Sequence, residues 1–394
     1  METLSQSPTE DAFVQNPYAF YERARQRAGA MFFWEEYALP CALSYAANWA
    51  ILRDRRFGRQ PPPGQEPDKP PHQACFWAVE EHSMLELEPP RHTRLRALVL
   101  RAFTSRRIAA LEPLIAALAH RLIDGLEGRS FDLIEEFAQP LAVSVIARLL
   151  GVPEERSDDL LAWSHAMVGM YQARRDHEME VAAARAAAEF SAFIGEYVDY
   201  RRARPAQDLI TRLIAAEQDG DRLSREELIT TCILLLNAGH EATVHSFGNA
   251  VKALLESGAG AQALAPGRIE ATVEETLRFD PPLHMFQRWA YEDVEVGRHV
   301  IRKGQKVACL LGAANRDRSR WDRPDTFDPA RPAQTNLAFG VGVHFCIGAP
   351  LARLELQCAL PILFARLPGL EIAQAPRYAP SYHFHGLEAL RLRG

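Results

Sequence analysis

Apolar residues recur at helical spacing through most of the chain between about residues 91 and 280, where alanine, leucine and arginine dominate. Side chains three and four residues apart lie on one face of a helix, and runs of β-branched residues are few here. Short runs with strand character occur at residues 31–33, 37–43, 294–300, 306–311 and 389–392. These runs are too few and too dispersed for packed sheets, so the pattern predicts a mainly α protein with a small β region.

One predicted helix is unusually long. Ser224 followed by Glu227 has the pattern of a capping box, a continuous apolar period follows, and Gly258 comes after the last periodic residues. Roughly 33 residues at 1.5 Å each give a helix of about 50 Å, enough to cross the molecule. Its middle is apolar nearly all round, which predicts burial on every side.

A polar interruption, Asn-Ala-Gly-His-Glu-Ala-Thr at residues 237–243, lies in the middle of this helix. A glycine inside a helix costs about 1 kcal/mol, and a buried carboxylate needs a partner or water. Taken alone, the segment is most simply a packing glycine and a carboxylate that reaches solvent or an arginine, although such local violations also mark functional sites. A zinc-protease helix is excluded, because it needs histidines four residues apart. His240 and His245 are five residues apart, or about 140° around the helix.

Composition narrows the class of protein. The 394 residues are enough to bury a large core with an enclosed pocket, and 47% hydrophobic with 24% charged residues excludes wholesale disorder. A net charge of -6 has the wrong sign for a general nucleic-acid binder. No secretory signal and no apolar stretch of membrane-spanning length is visible. We therefore expect a cytoplasmic monomer without membrane or nucleic-acid partners.

The chain shows no repeat and no dividing linker, which predicts one domain over residues 1–394. The proline-rich segment 59–71 cannot continue a helix and is expected to be a long surface connection. The cysteines lack the paired spacing of a disulfide framework or a zinc site, and we expect them to be reduced. Five of them are interpreted as small buried hydrophobic residues: Cys41, Cys75, Cys232, Cys309 and Cys358.

The sixth, Cys346, lies in a glycine-rich loop, Phe-Gly-Val-Gly-Val-His-Phe-Cys-Ile-Gly-Ala-Pro at residues 339–350, that leads into a helical pattern. Glycines permit a tight loop, and Gly348 lets backbone N–H groups approach the sulfur. Free N–H groups and the dipole at the start of a helix stabilise a thiolate. The loop therefore predicts an anionic cysteine, either a nucleophile or a metal ligand.

This loop resembles the haem-binding loop of the cytochrome P450 family, F-G-x-G-x-H-x-C-x-G, and matches it at every fixed position. Other motifs follow in the family's order over nearly the whole chain. The resemblance implies the P450 fold, with the long helix as the I helix over the haem. It also implies haem b with Cys346 as the thiolate ligand of the iron. Further cofactor contacts are expected from Phe339, Gly340, Gly348 and Ala238.

Two sets of charged residues extend the resemblance. Glu275 and Arg278 resemble the E-x-x-R of the family's K helix, and with Arg331 they would form its structural triad behind the haem. At a spacing of three residues the first two charges share one helical face. The residues that match propionate-binding positions of the family are His92, Arg96, Arg288 and His344.

The central helix resembles A-G-x-[DE]-T-T, the family's oxygen-activation segment, in which an acid and the next threonine pass protons to iron-bound dioxygen. Gly239 and Glu241 match, but Ala242 replaces the relay threonine, and Thr243 lies about 100° further round the helix. A substrate hydroxyl, an ordered water held by Glu241 or Thr243, or wasteful peroxide release would each account for the missing alcohol. We hypothesise that a polar group of the substrate or a fixed water replaces it. The retained acid argues against the peroxide-driven branch of the family, which usually carries Arg-Pro here.

The resemblance implies a monooxygenase that uses dioxygen to oxidise a small, mostly apolar organic molecule, such as a secondary metabolite, terpenoid, steroid or aromatic compound. A haem-thiolate binding protein or sensor without turnover is the alternative. Electrons from NAD(P)H would arrive through a separate ferredoxin or flavodoxin, because no flavin or iron–sulfur motif accompanies the chain. The expected docking face is basic and contains Arg91, Arg94, Arg96, Arg101, Arg106 and Arg107.

By the same resemblance, the substrate pocket is expected to be apolar with a few polar residues. Its expected lining residues are Phe76, Trp77, Leu235, Asn237, Leu283, His284, Phe286, His383 and Phe384. His383 and His385 could also form a metal pair on one strand face, although no further ligands accompany them.

Overall fold

The computed structural model describes residues 1–171, 175–218, 220–382 and 384–394. In that part of the chain the helices are α1 (Asp11–Gln15), α2 (Pro17–Ala28), α3 (Tyr45–Arg53), α4 (Ala74–Glu80), α5 (Arg91–Ala102), α6 (Ser105–Ala109), α7 (Glu112–Asp124), α8 (Gln139–Leu150), α9 (Ser157–Val168), α10 (His177–Ala203), α11 (Leu209–Ala215), α12 (Arg225–Glu256), α13 (Gly260–Ala263), α14 (Ile269–Phe279), α15 (Leu311–Ala314) and α16 (Ala349–Arg366). The strands are β1 (Thr3–Leu4), β2 (Met31–Trp34), β3 (Leu39–Ala42), β4 (Phe57–Gly58), β5 (Ser130–Asp132), β6 (Glu217–Gln218), β7 (Asp221–Arg222), β8 (Met285–Ala290), β9 (Val294–Val296), β10 (His299–Ile301), β11 (Lys306–Leu310), β12 (Glu371–Ile372), β13 (Arg377–Tyr378), β14 (Leu387–Ala389) and β15 (Arg391–Arg393). The predicted mainly α fold with a small β region is confirmed.

Helix α12 is the long central helix that the sequence predicts. Its 32 residues begin after a complete capping box, in which Ser224 Oγ accepts from the Glu227 N–H and the Glu227 carboxylate accepts from the Ser224 N–H. The helix contacts α8, α10, α14 and α16, and its apolar side chains, Phe247 among them, belong to the largest core cluster. This burial on several sides explains the apolar character of the middle of the helix.

A six-stranded sheet in the order β1-β2-β3-β11-β8-β4 forms the main β region. β8 pairs antiparallel with β11 on one side and β4 on the other, and Arg288 lies opposite Val307. A second core cluster fills the space between this sheet and α3. The sheet therefore holds Phe286 and Arg288 on a strand that pairs with β11 at both of these residues.

Several strand bounds differ from the predictions. Residues 294–300 form a hairpin, β9 and β10, because Gly297 adopts a positive φ of 60° that reverses the chain. The C-terminal run divides into β14 and β15, which belong to different sheets. Strands β5 and β8 were not predicted from the pattern, since β5 has only three residues and β8 interrupts its apolar alternation with Arg288.

The connections agree with the sequence where it is rich in proline. Residues 59–70 contain neither helix nor strand, and a single 3₁₀ turn, Pro71–Gln73, leads into α4.

No helix in the described ranges is long and apolar enough to cross a membrane.

Candidate functional site

The loop before α16 places Cys346 at the start of that helix. The Cys346 N–H donates to the Phe339 carbonyl at 3.1 Å, which closes the loop. Burial raises the pKa of the Cys346 thiol, while the N–H groups of Gly348 and Ala349 lower it. The loop passes close to α3, because a Cβ on Gly342 would lie 2.3 Å from the Leu52 carbonyl oxygen, and this glycine has a φ of +82°. The sulfur is therefore held at a helix start, as the loop sequence predicts.

Basic and imidazole side chains gather beside this loop. The rings of His92 and His344 lie 4.3 Å apart, and Arg96 donates to the Phe345 carbonyl at 2.7 Å. Burial lowers the pKa of His92 to about 4, and His92 Nδ1 has no hydrogen-bond partner among the described residues. Burial and the charge of Arg59 lower the pKa of Arg288 to about 10.

Two residues that the sequence analysis did not select complete this group. His344 Nε2 lies 2.9 Å from Glu88 Oε1, which also accepts from the Arg59 N–H at 2.6 Å. Burial opposes ionisation of Glu88, but its hydrogen bonds with His344 and the Arg59 N–H keep the pKa of this carboxyl below its usual value. Glu88 stands four residues before His92 in the same motif, so its position could have been noticed. The sequence gives no corresponding signal for Arg59.

The side chains around Cys346 fit haem b. Arg288 is buried, and no carboxylate of the described chain lies within ion-pair distance of its guanidinium. An unpaired buried cation and an unpaired buried imidazole nitrogen are costly unless an anionic group completes them. A haem requires a ligand for its iron and hydrogen-bond donors for its two propionates. The sulfur and the neighbouring basic side chains offer both.

The charged group formed by Glu275, Arg278 and Arg331 lies behind the loop. Glu275 accepts from Arg278 Nε and Nη2 at 2.7 Å each, and from Arg331 Nε at 3.1 Å. Arg278 also donates to the carbonyls of Asn315 and Pro324. All three charged side chains are buried, so they fasten the segment before the cysteine loop to α14.

The polar interruption of α12 packs tightly against α8. A Cβ on Gly239 would lie 3.0 Å from Ile146 Cγ1, which explains the glycine, and Ala238 lies beside it in the same turn. Thr243 Oγ1 donates to the Gly239 carbonyl at 3.0 Å, and the Ala242 carbonyl accepts from Ser246 Oγ at 2.7 Å. The Thr243 hydroxyl is thus used within its own helix.

Glu241 has histidine partners rather than the arginine or open solvent expected from the sequence. His165 Nε2 lies 3.0 Å from its Oε1, His240 Nε2 lies 3.3 Å from the same oxygen, and His245 Nε2 lies 3.6 Å from Oε2. Burial opposes ionisation, but the hydrogen bond from His165 and the neighbouring His240 imidazole hold the pKa of Glu241 far below its usual value. His165 comes from α9, so the sequence around Glu241 could not reveal it.

The expected pocket residues differ in their contacts and in their burial. Leu283 and Phe384 form a β-bridge, and Asn237 Nδ2 contacts Met167 Sδ while Asn237 Oδ1 is buried without a partner in the described chain. Phe76 packs against Trp77 with ring centroids 5.5 Å apart. Other apolar members of the set are Leu235, which is buried, and Phe286, which is half-buried. His383 lies outside the described residues.

The assignment of His284 to the pocket is corrected. Its ring is fully buried in a tyrosine network, which we define as Tyr18, Tyr21, Tyr378, Tyr382, Asp280, His284 and His385. Tyr21 Oη lies 3.0 Å from His284 Nδ1, and Asp280 accepts from Tyr18 and Tyr378. His385 Nε2 lies 3.3 Å from an Asp280 oxygen, so this ring belongs to the network as well. Consecutive residues of an extended segment point to opposite sides, which puts His284 on the other side from Leu283.

The chain is similar to several known proteins. The family model described as Cytochrome P450 matches residues 269–368. Cytochrome P450 107B1 of Saccharopolyspora erythraea is 41% identical over 89% of this chain and 84% of its own length. The biotin biosynthesis cytochrome P450 of Bacillus subtilis is 36% identical over 98% of both chains. The crystal structure of P450BioI with a fatty-acyl carrier protein superposes with a TM-score of 0.91 at 36% identity, over 98% of this chain and 100% of that one. The chain therefore belongs to the cytochrome P450 family, as a haem-thiolate monooxygenase that uses dioxygen.

Proposed function

We propose that this monooxygenase oxidises a small, mostly apolar organic molecule, of the secondary-metabolite, terpenoid, steroid or aromatic class. The observation that carries this proposal is the buried carboxamide oxygen of Asn237, which has no partner in the described chain and lies among expected pocket residues that are mostly apolar. Such a wall favours a ligand with a large apolar surface and one hydrogen-bond donor. The neighbour solved with an acyl carrier protein that carries hexadec-9Z-enoic acid adds long acyl chains to the compounds worth testing.

We assign the cofactor contacts to the residues around the cysteine loop. Cys346 would ligate the iron, and the propionates would take donors from Arg96, Arg288 and His92. His344 is bonded to Glu88, so we assign it the role of holding the His92 ring from the other side. Bound haem supplies the activation of dioxygen and the transfer of one oxygen atom to substrate. Phe339, Gly340 and Gly348 shape the loop that presents the sulfur.

We assign proton delivery to Glu241. Ala242 has no hydroxyl, and the Thr243 hydroxyl already donates to the Gly239 carbonyl, so neither supplies a free alcohol. Glu241 is held as a carboxylate by its histidine neighbours, and the His165 side chain is 43% exposed. A proton can therefore reach the Glu241 oxygen from solvent through the His165 ring. The last transfer, from Glu241 into the pocket, would use a fixed water or a polar group of the substrate.

We propose that a separate ferredoxin or flavodoxin docks on the surface formed by α5, α6 and Phe345, which we name the proximal face. Arg91, Arg101 and Arg106 are exposed there, and none has an ion pair with a described residue. Leu100 is 46% exposed and lies one turn from Arg96, which bonds to the carbonyl of Phe345, itself 37% exposed. A surface that combines exposed apolar side chains with unpaired arginines suits an acidic protein partner.

One residue leaves the expected basic face. Arg94 points to the start of α12, where it pairs with Glu227 and lies 3.1 Å from Asp221. This pairing neutralises the arginine, because each of its neighbours carries a negative charge. Arg94 is therefore a link between α5 and α12 and not part of the proximal face.

The first experiment is an optical titration of the purified ferric protein with terpenes, steroids, aromatics, macrolactones and fatty acids. A saturable low-spin to high-spin shift identifies the substrate class. If the same compounds also cause NADH consumption with a surrogate ferredoxin and reductase, the protein turns them over. No shift and no NADH use with any compound, beside a normal thiolate-type carbon monoxide spectrum, would favour the binding-protein alternative. Charge reversal by Arg106→Glu should raise the apparent KM for ferredoxin, whereas Arg323→Glu, on an exposed loop elsewhere, should not.

A further inference from the structure

Glu241 is surrounded by imidazoles and by no permanent cation. Its side chain is only 13% exposed, and its neighbours are His165 from α9 and His240 and His245 from its own helix. No lysine or arginine of the described chain pairs with it. A buried carboxylate that relies on titratable rings has partners that can each exchange a proton for a metal ion.

The atoms have the spacing that a small metal ion requires. One nitrogen each of His165 and His240 and one oxygen of Glu241 all lie within 4.8 Å of one another. His165 Nε2 and His240 Nε2 are 3.0 Å and 3.3 Å from the same carboxylate oxygen. Tetrahedral zinc with ligands at about 2.0–2.1 Å spaces those ligand atoms about 3.3 Å apart. The three atoms can therefore share one ion with little movement.

The His240 ring is oriented toward this point. His240 is 2% exposed, and its Nε2 has no hydrogen-bond partner among the residues that the structure describes, although it faces the carboxylate. Its other nitrogen, Nδ1, lies 3.3 Å from Ser164 Oγ. Histidines that bind metals usually use their second ring nitrogen in this way, which fixes the ring and its tautomer.

We propose that His165, His240 and Glu241 form a binding site for one divalent transition-metal ion, with Zn²⁺ the ion of best-matched chemistry and water as the fourth ligand. Two imidazoles and one carboxylate are a frequent zinc donor set. The helix pattern excluded by the sequence needed both histidines on α12, whereas here the second histidine comes from α9. The partly exposed His165 ring gives the ion a path from solvent.

Two other clusters of histidine and carboxylate are poorer sites. His72 and His177 lie beside Glu180, but Arg175 Nε already lies 3.0 Å from that carboxylate, and its charge opposes a cation. In the tyrosine network, the Asp280 and His284 atoms are already taken by tyrosine hydroxyls. The first cluster is therefore a matched control for the proposed site, because it offers the same ligand types on the surface.

The test is calorimetric titration of the haem-loaded ferric protein, cleared of metals by a chelator, with zinc chloride. We expect one Zn²⁺ per chain, binding at least about tenfold more weakly in His165→Ala and several-fold more weakly in Ser164→Ala. His72→Ala should bind as the unmodified protein does. An unchanged Soret spectrum verifies the fold of each variant. Equal affinity in His165→Ala, or loss of binding in His72→Ala, would overturn the proposal.

A second measurement distinguishes the metal site from the proposed proton role of Glu241. An effect of bound zinc on turnover rests on that proposed role. If Glu241 delivers protons, saturating Zn²⁺ should lower the product formed per NADH in the unmodified enzyme, relative to the same enzyme without zinc. It should lower this ratio equally in His72→Ala, which keeps the proposed site. Zinc that binds in the titration and leaves this ratio unchanged would keep the metal site and contradict the proton role. Absence of zinc binding to the unmodified protein would overturn the metal site and would leave the proton role of Glu241 unaffected.

Discussion

The buried charges on α14 give the sharpest stability prediction. Replacing Glu275 by glutamine removes the only carboxylate in the described part of the chain that pairs with Arg278 and Arg331. Breaking a buried pair by removing one partner costs about 3–5 kcal/mol. Both arginines also donate to backbone carbonyls, including those of Asn315 and Asp322, which partly compensate the lost charge. We therefore expect Glu275→Gln to lose about 3 kcal/mol of unfolding free energy, the lower end of that range.

The neighbouring residue offers a matched control. Glu274 lies on the same helix and pairs with Arg353, but both side chains are partly exposed, so Glu274→Gln should cost less than about 1 kcal/mol. Urea unfolding of the haem-loaded proteins, followed by far-ultraviolet circular dichroism and by the Soret band, measures both. Equal losses in the two variants would show that burial of the Glu275 group does not set its contribution, and would refute the reasoning.

Three further predictions concern the site itself. The hydrogen bond to Glu241 raises the pKa of His165, so the ion pair should stabilise the fold below about pH 6.5 and lose its effect as the pH rises through the folded pKa. The difference in unfolding free energy between the unmodified protein and His165→Asn, measured in urea, should therefore shrink from about pH 6 to about pH 8.5. Ala242→Thr should leave the ratio of product to NADH unchanged, since a water or substrate group replaces the alcohol, and a large gain measured by product chromatography would contradict this. Arg288→Met removes a buried cation that would face a propionate, so haem transfer to apomyoglobin should become at least about tenfold faster, while an unchanged rate would contradict that role.

Local signals explain what the sequence predicted well. The capping box at Ser224 and Glu227 and the loop around Cys346 are each contiguous, so neighbouring residues determine their conformation. The hairpin at Gly297 and the strand at Arg288 were missed because strand pairing is a long-range property, and a short run does not reveal which strands flank it.

The partners of the site residues required the tertiary structure. Helix α9 brings His165 to Glu241, which is 76 positions further along the chain, and neither local sequence predicts that contact. The pocket assignment of His284 failed for a related reason. A segment can be placed beside a pocket by resemblance, but the side to which each side chain points depends on its exact register.

The tyrosine network joins regions from opposite ends of the chain. Tyr18 and Tyr21 of α2 hydrogen-bond to Asp280 and His284. From the C-terminal part of the chain, Tyr378 of β13 hydrogen-bonds to Asp280 and Tyr382 hydrogen-bonds to Tyr21. During synthesis Tyr18 and Tyr21 leave the ribosome first, and the last of their partners are made only when almost the whole chain has been translated. The wall around Leu283 and Phe384 is thus among the last parts of the molecule that can assemble on a ribosome, after the cysteine loop has already been made.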